Sequence, residues 1–521
     1  MLKKIIRVVL VAIGSVVLLF MLLAVALYIP PVQNFVVYKV AGYASEKTGM
    51  DLRVGRVRLA FPLDLALINT FASQKGDTVL DARSVRVNVA LLPLFQSRVD
   101  VDGLEIYDSK INTVGFISNT QIKGYVGELK LQSHGIDLAN SYVNIDGGNL
   151  ANSNVTVLLC DTAKEDTTPK KPTVWRIKLS GFDITNSAVK LRFPGDSMRV
   201  SAAVGSLTVK NGYFDIARNL YTVEHIGIRK TGATYDIPYE AYVKKLDPNH
   251  IAVTGFNADI DSLKYNAGAI RARLKGLTVK EKSGLALNDM GGTLYVDSAK
   301  LELGGFKLKT PYSTLNATGV FAFDALNRDG EGAIKLKIGG NLDRRDLISA
   351  IPGGLGADVE KLLPVKPVNI DATLGGEKGN LTVENGKISV DGMMQLRLDG
   401  KLNDITSDKR SGNLRYSLKT WNIDYLKNAF GLDSESGINI PHGVSAYGTL
   451  KFRGERYETD SRLVLGHGKA SVNGWFDTHS NSYSARVSTQ SVPLGKIVVV
   501  STISLRRYRQ REAASILSER A

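Results

Sequence analysis

From Leu52 onward the chain alternates apolar and polar residues, the period of two that sends successive side chains to opposite faces of a strand. Leu59, Phe61, Leu63, Leu65 and Leu67 trace one half-buried strand. Val85, Val87, Val89 and Leu91, with Arg86, Asn88 and Ala90 between them, trace another. One apolar and one polar face is the signature of an antiparallel sheet. A short pattern recurs five times: apolar, any, apolar, any, Asn or Asp, Ser or Gly, any, apolar. Its centres are Asp108-Ser109, Asn140-Ser141, Asn186-Ser187, Asn211-Gly212 and Asn385-Gly386. Asn, Asp and Gly tolerate positive φ, so each copy predicts a β-hairpin closed by a two-residue turn. The irregular intervals between copies exclude a fixed-period solenoid or propeller and predict a meander of uneven hairpins. Helical spacing is rare: two short helices around Pro352-Gly353-Gly354 within 343–363, and one over 425–430. Residues 161–173, rich in charge and proline, predict an exposed loop.

The first 50 residues follow another rule. Val8 to Tyr28 carries no charge, and a helix of that length spans the roughly 30 Å hydrocarbon layer of a bilayer. Lys3, Lys4 and Arg7 precede it, and the positive-inside rule leaves them in the cytoplasm and exports everything after Pro30. Ala24-Val25-Ala26 resembles a signal-peptidase site, but the apolar run is longer than signal peptides use, which favours an uncleaved anchor. Pro30-Pro31 then opens a second helix, with Val32, Phe35, Val36, Val40 and Ala44 on one face and Gly49 at its stop. The expected segments are 1–29, a cytoplasmic start and transmembrane anchor; 30–50, a juxtamembrane helix; 51–495, a repetitive β body; and 496–521, a basic tail in which the alternation stops.

Composition sharpens this picture in three places. The formal charge of +15 invites a nucleic-acid partner, yet Lys3, Lys4 and Arg7, with six basic residues against Glu512 and Glu519 from Lys496 onward, supply +7 of it. The rest is dispersed among strands, as at Lys335 and Lys337 between Ile334, Leu336 and Ile338, so no nucleic-acid partner is expected. Cys160 is the sole cysteine and reads as a small buried hydrophobe. The six histidines are scattered, with no metal-ligand spacing, no nucleophile elbow and no phosphate loop. Asp259 and Asp261, two apart, read as a solvated face. No catalytic, cofactor or metal site is expected, and the chain reads as a non-enzyme.

The chain resembles the AsmA-like family, in its TamB-type branch of translocation and assembly module inner-membrane subunits. The resemblance is carried by the anchor, Ile29-Pro-Pro-Val-Gln-Asn-Phe35, Glu46-Lys-Thr-Gly49, Val54-Gly-Arg-Val-Arg-Leu59, Asp81-Ala-Arg-Ser-Val85, Leu92-Pro-Leu-Phe95 and Gly103-Leu-Glu-Ile-Tyr-Asp108. It implies a mainly β fold: a transmembrane helix followed by a long, antiparallel, twisted β-groove, a half-pipe with an apolar concave side and a few short helices. It further implies a bacterial inner-membrane protein, single-pass, with its bulk in the periplasm. Its expected partners are phospholipid acyl chains and an outer-membrane barrel assembly protein. The basic tail departs from the family pattern, in which a carboxy-terminal domain engages that barrel, and reads as a truncation or as foreign to the fold. Leu59, Phe61, Leu63, Leu65, Leu67, Val85, Val87 and Val89 are the expected groove lining, and no cofactor is expected. The implied function is intermembrane lipid transport, outer-membrane protein assembly, or both. The alternative is an anchored structural or adhesin-like β rod without lipid transfer.

Overall fold

In a computed structural model, the residues described are 50–60, 64–74, 76–89, 101–113, 120–137, 141–159, 175–422, 442–492 and 515–517, with Ile29, Pro31, Ser45 and Asp424. The expected span Val8 to Tyr28, the loop 161–173 with Cys160 and the helix at 425–430 lie outside them, as does nearly all of the juxtamembrane helix. Among the described residues no helix is long and apolar enough to cross a membrane. Among the described residues the alternating pattern becomes twenty-six strands, and the chain divides into two units: Met1–Ala241 with Asn249–Ala267, and Tyr242–Pro248 with Gly268–Ala521.

The first unit holds β1 (Asp51–Ala60), β2 (Asp64–Gln74), β3 (Asp77–Val89), β4 (Val101–Asn112), β5 (Thr120–Asp137), β6 (Tyr142–Ala151), β7 (Asn154–Leu159), β8 (Arg176–Arg192), β9 (Arg199–Asp215), β10 (Leu220–Asp236) and β11 (His250–Asn266). Neighbours pair antiparallel in chain order, except around β8. There β6 and β7 lie end to end along β5, and β8 pairs with both of them in parallel. This corrects the all-antiparallel expectation. Residues 160–175 connect β7 to β8, the length of crossover a parallel pair needs. The run from Leu59 to Leu67 is corrected as well. It is two strands, with Leu59 opposite Leu65 and Val57 opposite Leu67, and Pro62 inside it has no N–H to give to a ladder.

A second correction concerns the recurring Asn/Asp-Ser/Gly pattern. Only Asn140-Ser141 falls between two strands; the other four copies lie inside β4, β8, β9 and the later strand Asn380–Val390. Their Asn or Asp does adopt positive φ, at 46° for Asp108, 43° for Asn186, 51° for Asn211 and 52° for Asn385. The strand continues through it as a bulge. In β8 the inward positions run Phe182 and Ile184 before Asn186, then Ser187, Val189 and Leu191 after it, all half-buried or buried, so the alternation skips one beat and returns to the same face.

In the first unit these bulges align across neighbouring strands. Asn69, Asp108, Asn152, Asn186 and Lys230 all have φ between 43° and 52°, and the flanking pairs place them side by side with Gly55, Arg83, Gly127 and Gly205 in the strands between. Each is followed by a buried hydroxyl residue: Thr70, Ser109, Ser153, Ser187 and Thr231. Four of these hydroxyls donate back to the carbonyl two residues earlier: Ser109 to Tyr107, Ser153 to Ala151, Ser187 to Thr185 and Thr231 to Arg229, at 2.8–3.3 Å. They satisfy carbonyls at the bulge, which explains why Ser or Thr follows the left-handed residue. Bulges bend and twist the strands that carry them, here at one common level.

The second unit holds β12 (Ala269–Glu281), β13 (Ala286–Leu287), β14 (Asp289–Val296), β15 (Lys300–Lys309), β16 (Thr314–Ala322), β17 (Ala333–Leu342), β18 (Val368–Glu377), β19 (Asn380–Val390), β20 (Met394–Asn403), β21 (Ser411–Thr420), β22 (Val444–Arg453), β23 (Arg456–Leu465), β24 (Gly468–Asp477), β25 (Ser482–Gln490) and β26 (Ser515–Leu517). All its ladders are antiparallel, and β26 adds to β25 within what the sequence treats as an atypical tail. Its small core gathers Ala322, Ala325 and Ile334 under Phe321, Leu336, Leu374 and Leu381. Gly400 (φ 153°) lies in β20 where a Cβ would collide with the carbonyl oxygen of Asn413. Gly400→Val is expected to destabilise that ladder by about 2 kcal/mol, read as lost hydrogen-exchange protection in β20 and β21.

The two predicted short helices are present, α1 (Arg344–Ala350) and α2 (Ala357–Leu362), with Gly353 and Gly354 at positive φ between them. Asp343 caps α1, accepting from the backbone N–H of Arg345 at 2.9 Å, and Asp346 accepts from Thr310 (2.5 Å) and Ser313 (2.6 Å), tying α1 to the end of β15. The Arg345 guanidinium, bonded to Asp343, holds that carboxyl below the usual aspartate range. A depressed native value contributes stability above the unfolded pKa that is lost as pH falls through the native one. Protection of α1 from hydrogen exchange should therefore fall as pH drops below about 4, and less so in Asp343→Asn.

Candidate functional site: the apolar face of the first unit

Residues directly opposite in neighbouring strands share a face, so register alone traces which side chains line up across the sheet. One row reads Val57, Leu67, Val85, Ile106, Leu129, Leu150, Ile184, Leu207, Ile228, Ala258. The next reads Leu65, Val87, Leu104, Leu131, Gly148, Phe182, Val209, Ile226, Ile260. Beyond the bulges a third runs Leu52, Ala72, Leu80, Ile111, Gly124, Val155, Val189, Ala202, Ala233, Val253. No charged residue interrupts any of the three. The skipped beat at each bulge keeps this side apolar along the full strand.

Glycines in these rows make room for rings. A Cβ at Gly148 would collide with the ring of Phe182 on the adjacent strand, so the aromatic lies over the glycine and fills its gap. Toward one end, Phe214, Tyr221 and Tyr265 sit at neighbouring positions, with ring centroids 6.2 and 5.5 Å apart.

The opposite face is polar. The row between the first two reads Arg58, Ala66, Arg86, Glu105, Lys130, Asn149, Asp183, Thr208, Gly227, Asp259. Arg86 pairs with Glu105 at 3.5 Å, Lys130 with Glu128 at 2.5 Å, and Thr208 donates to Asp183 at 2.6 Å. These exposed pairs are worth well under about 1 kcal/mol each and chiefly mark the solvated side.

Burial distinguishes this apolar face from an ordinary core. Val57, Val85 and Ala258 are buried, but Leu67, Ile106, Leu129, Leu150, Ile184, Leu207 and Ile228 of the same row are only half-buried, and so is every described side chain of the second row. A sheet face covered by a second layer would bury most of them. Among the described residues the apolar face is left partly open.

Of the expected lining, Leu65, Leu67, Val85 and Val87 stand on these rows. In backbone register Leu59 lies opposite Leu65, and Val89 opposite Val101. Phe61 and Leu63 lie outside the described residues. Sequence patterning missed the strands β8 to β11 as lining, although Phe182, Ile184, Leu207 and Val209 show the same alternation; reading their Asn-Ser and Asn-Gly pairs as turns hid them. Metal-ligand side chains also come together where spacing along the chain gave no sign of it: His225 on β10 lies beside Asp259 and Asp261 on β11. No family model, no curated protein and no solved structure matches the chain.

Proposed function

We propose that this protein is a membrane-anchored, exported β protein of the AsmA-like kind. In this proposal it is held in the bacterial inner membrane by the segment Val8 to Tyr28, and its apolar sheet face shields phospholipid acyl chains on their way between membranes. The supporting observation is the set of three uninterrupted apolar rows, most of their side chains only half-buried among the described residues, backed by a polar face. Each acyl methylene placed on such a surface gains about 0.8 kcal/mol, so a lipid tail covers the part of the face that the described residues leave open, while the headgroup stays in water. In this reading the bends at the aligned bulges curl the sheet toward its apolar side and turn that face into a trough. Nascent strands of outer-membrane proteins present the same chemistry and are a second cargo of this surface, with a barrel assembly protein as the receiving partner.

The test is the lipid content of the full chain extracted in mild detergent. Phospholipid should co-purify at one or more molecules per chain, as read by mass spectrometry of the organic extract. A lipid-free preparation whose apolar rows are fully protected by the protein's own packing would overturn the proposal and leave an anchored structural rod.

A further inference from the structure

The polar side of β10 and β11 carries a group of side chains that lipid binding does not use. By register His225 stands opposite Asp261, and Asp259 stands diagonally across from it, opposite Gly227. Ligand atoms of all three lie within 4.8 Å of one another. Gly227 allows this: the imidazole lies over it, with Nε2 3.4 Å from where a Cβ would stand.

The two oxygens of Asp259 are treated differently. Oδ2 receives Arg229 Nη2 at 3.4 Å, and the same guanidinium is anchored through Nη1 on the carbonyl oxygens of Ile228 and Ala258, at 2.8 Å each. Oδ1 is enclosed and accepts no hydrogen bond. The nearest ring nitrogen, His225 Nδ1, is 3.6 Å away, beyond hydrogen-bond reach. An enclosed carboxylate oxygen without a donor is costly, and a cation seated between it, the imidazole and Asp261 removes that cost.

We propose that His225, Asp259 and Asp261 form a binding site for a divalent transition-metal ion of the zinc class, with water in the remaining positions. One imidazole nitrogen with two carboxylates suits Zn2+ better than Ca2+ or Mg2+, which take all-oxygen sets. Metal–ligand distances of about 2.0–2.2 Å require these donors to close by roughly 1 Å, within the reach of side-chain torsions. Arg229 holds Asp259 from outside, as second-layer partners of metal ligands do. The ion pins β10 to β11 from the solvated side and leaves the apolar face clear, so this site stands or falls independently of lipid binding.

The experiment is calorimetric titration of the full chain in detergent, free of any tag and stripped of metal, with ZnCl2. One saturable equivalent of Zn2+ per chain is expected. His225→Gln should weaken it by more than about 100-fold, since loss of even an outer partner costs 10–100-fold. His134→Gln, at a histidine beside Asp146 elsewhere in the unit, should leave it unchanged. Asp261→Asn provides a second, near-isosteric loss of ligand, and far-UV circular dichroism confirms that each variant keeps its β signal. Absence of a saturable equivalent overturns the proposal, as does a site that survives both His225→Gln and Asp261→Asn in folded protein.

Discussion

A chain carrying Ile184→Asp and Leu207→Asp together is expected to purify without phospholipid, while Thr208→Lys retains it. Ile184 and Leu207 are direct neighbours in the first apolar row, and both are only half-buried among the described residues. Thr208 is one residue away on the polar face, hydrogen-bonded to Asp183. Setting an acyl chain against two carboxylates at about 2 kcal/mol each weakens its binding by roughly 10³-fold. A lysine at 208 gains a partner in Asp183 and touches no lipid. Because both wild-type side chains are already partly exposed, the double variant should keep its strand content, which separates loss of ligand from loss of fold. Phosphorus content per chain, alongside circular dichroism, reads the result; undiminished lipid in the double variant contradicts the apolar face as the binding surface.

The second large effect is conformational. Asn186→Val should destabilise the first unit by about 2 kcal/mol more than Asn186→Gly, as measured by exchange protection of β8 and β9. Asn186 sits at φ 43°, a region that a β-branched residue enters at high cost and glycine enters freely. Both substitutions lose the side-chain bond to Asn152, so their difference isolates the backbone. Equal stability of the two would mean that the left-handed residue is not what holds the bulge.

That bulge also marks where sequence reasoning succeeded and where it stopped. Period-two alternation identifies strands because it reflects a local geometric fact, and it located β3, β17 and the apolar side of β2 without help. The Asn-Ser and Asn-Gly pairs correctly signal positive φ. A positive-φ residue serves a tight turn and a mid-strand bulge equally well, however, and only the partner strand decides between them. At 186 the neighbours Thr185 and Ser187 both continue pairing with β9, at Ser206 and Val204, so the chain goes straight on. Around Asn140-Ser141, by contrast, β5 and β6 pair antiparallel, with Asp137 opposite Tyr142. The strands are for this reason fewer and longer than the hairpin reading implies. The parallel placement of β8 and the meeting of His225 with Asp259 and Asp261 were illegible for a related reason. Each depends on which strands lie side by side, and His225 is more than thirty residues from its carboxylate neighbours. The short helices α1 and α2 were legible because Asp343 and the Pro352-Gly353-Gly354 break are local signals.

The most direct test is a photo-crosslinking amino acid placed in turn at Leu207, Thr208, Val209 and Lys210 of β9 in the full chain in cells. The side chains of Leu207 and Val209 belong to the apolar rows, and those of Thr208 and Lys210 to the polar side. Phospholipid adducts at 207 and 209 and none at 208 and 210 are the predicted outcome. Equal labelling at all four positions, or adducts confined to 208 and 210, would contradict a lipid-shielding apolar face.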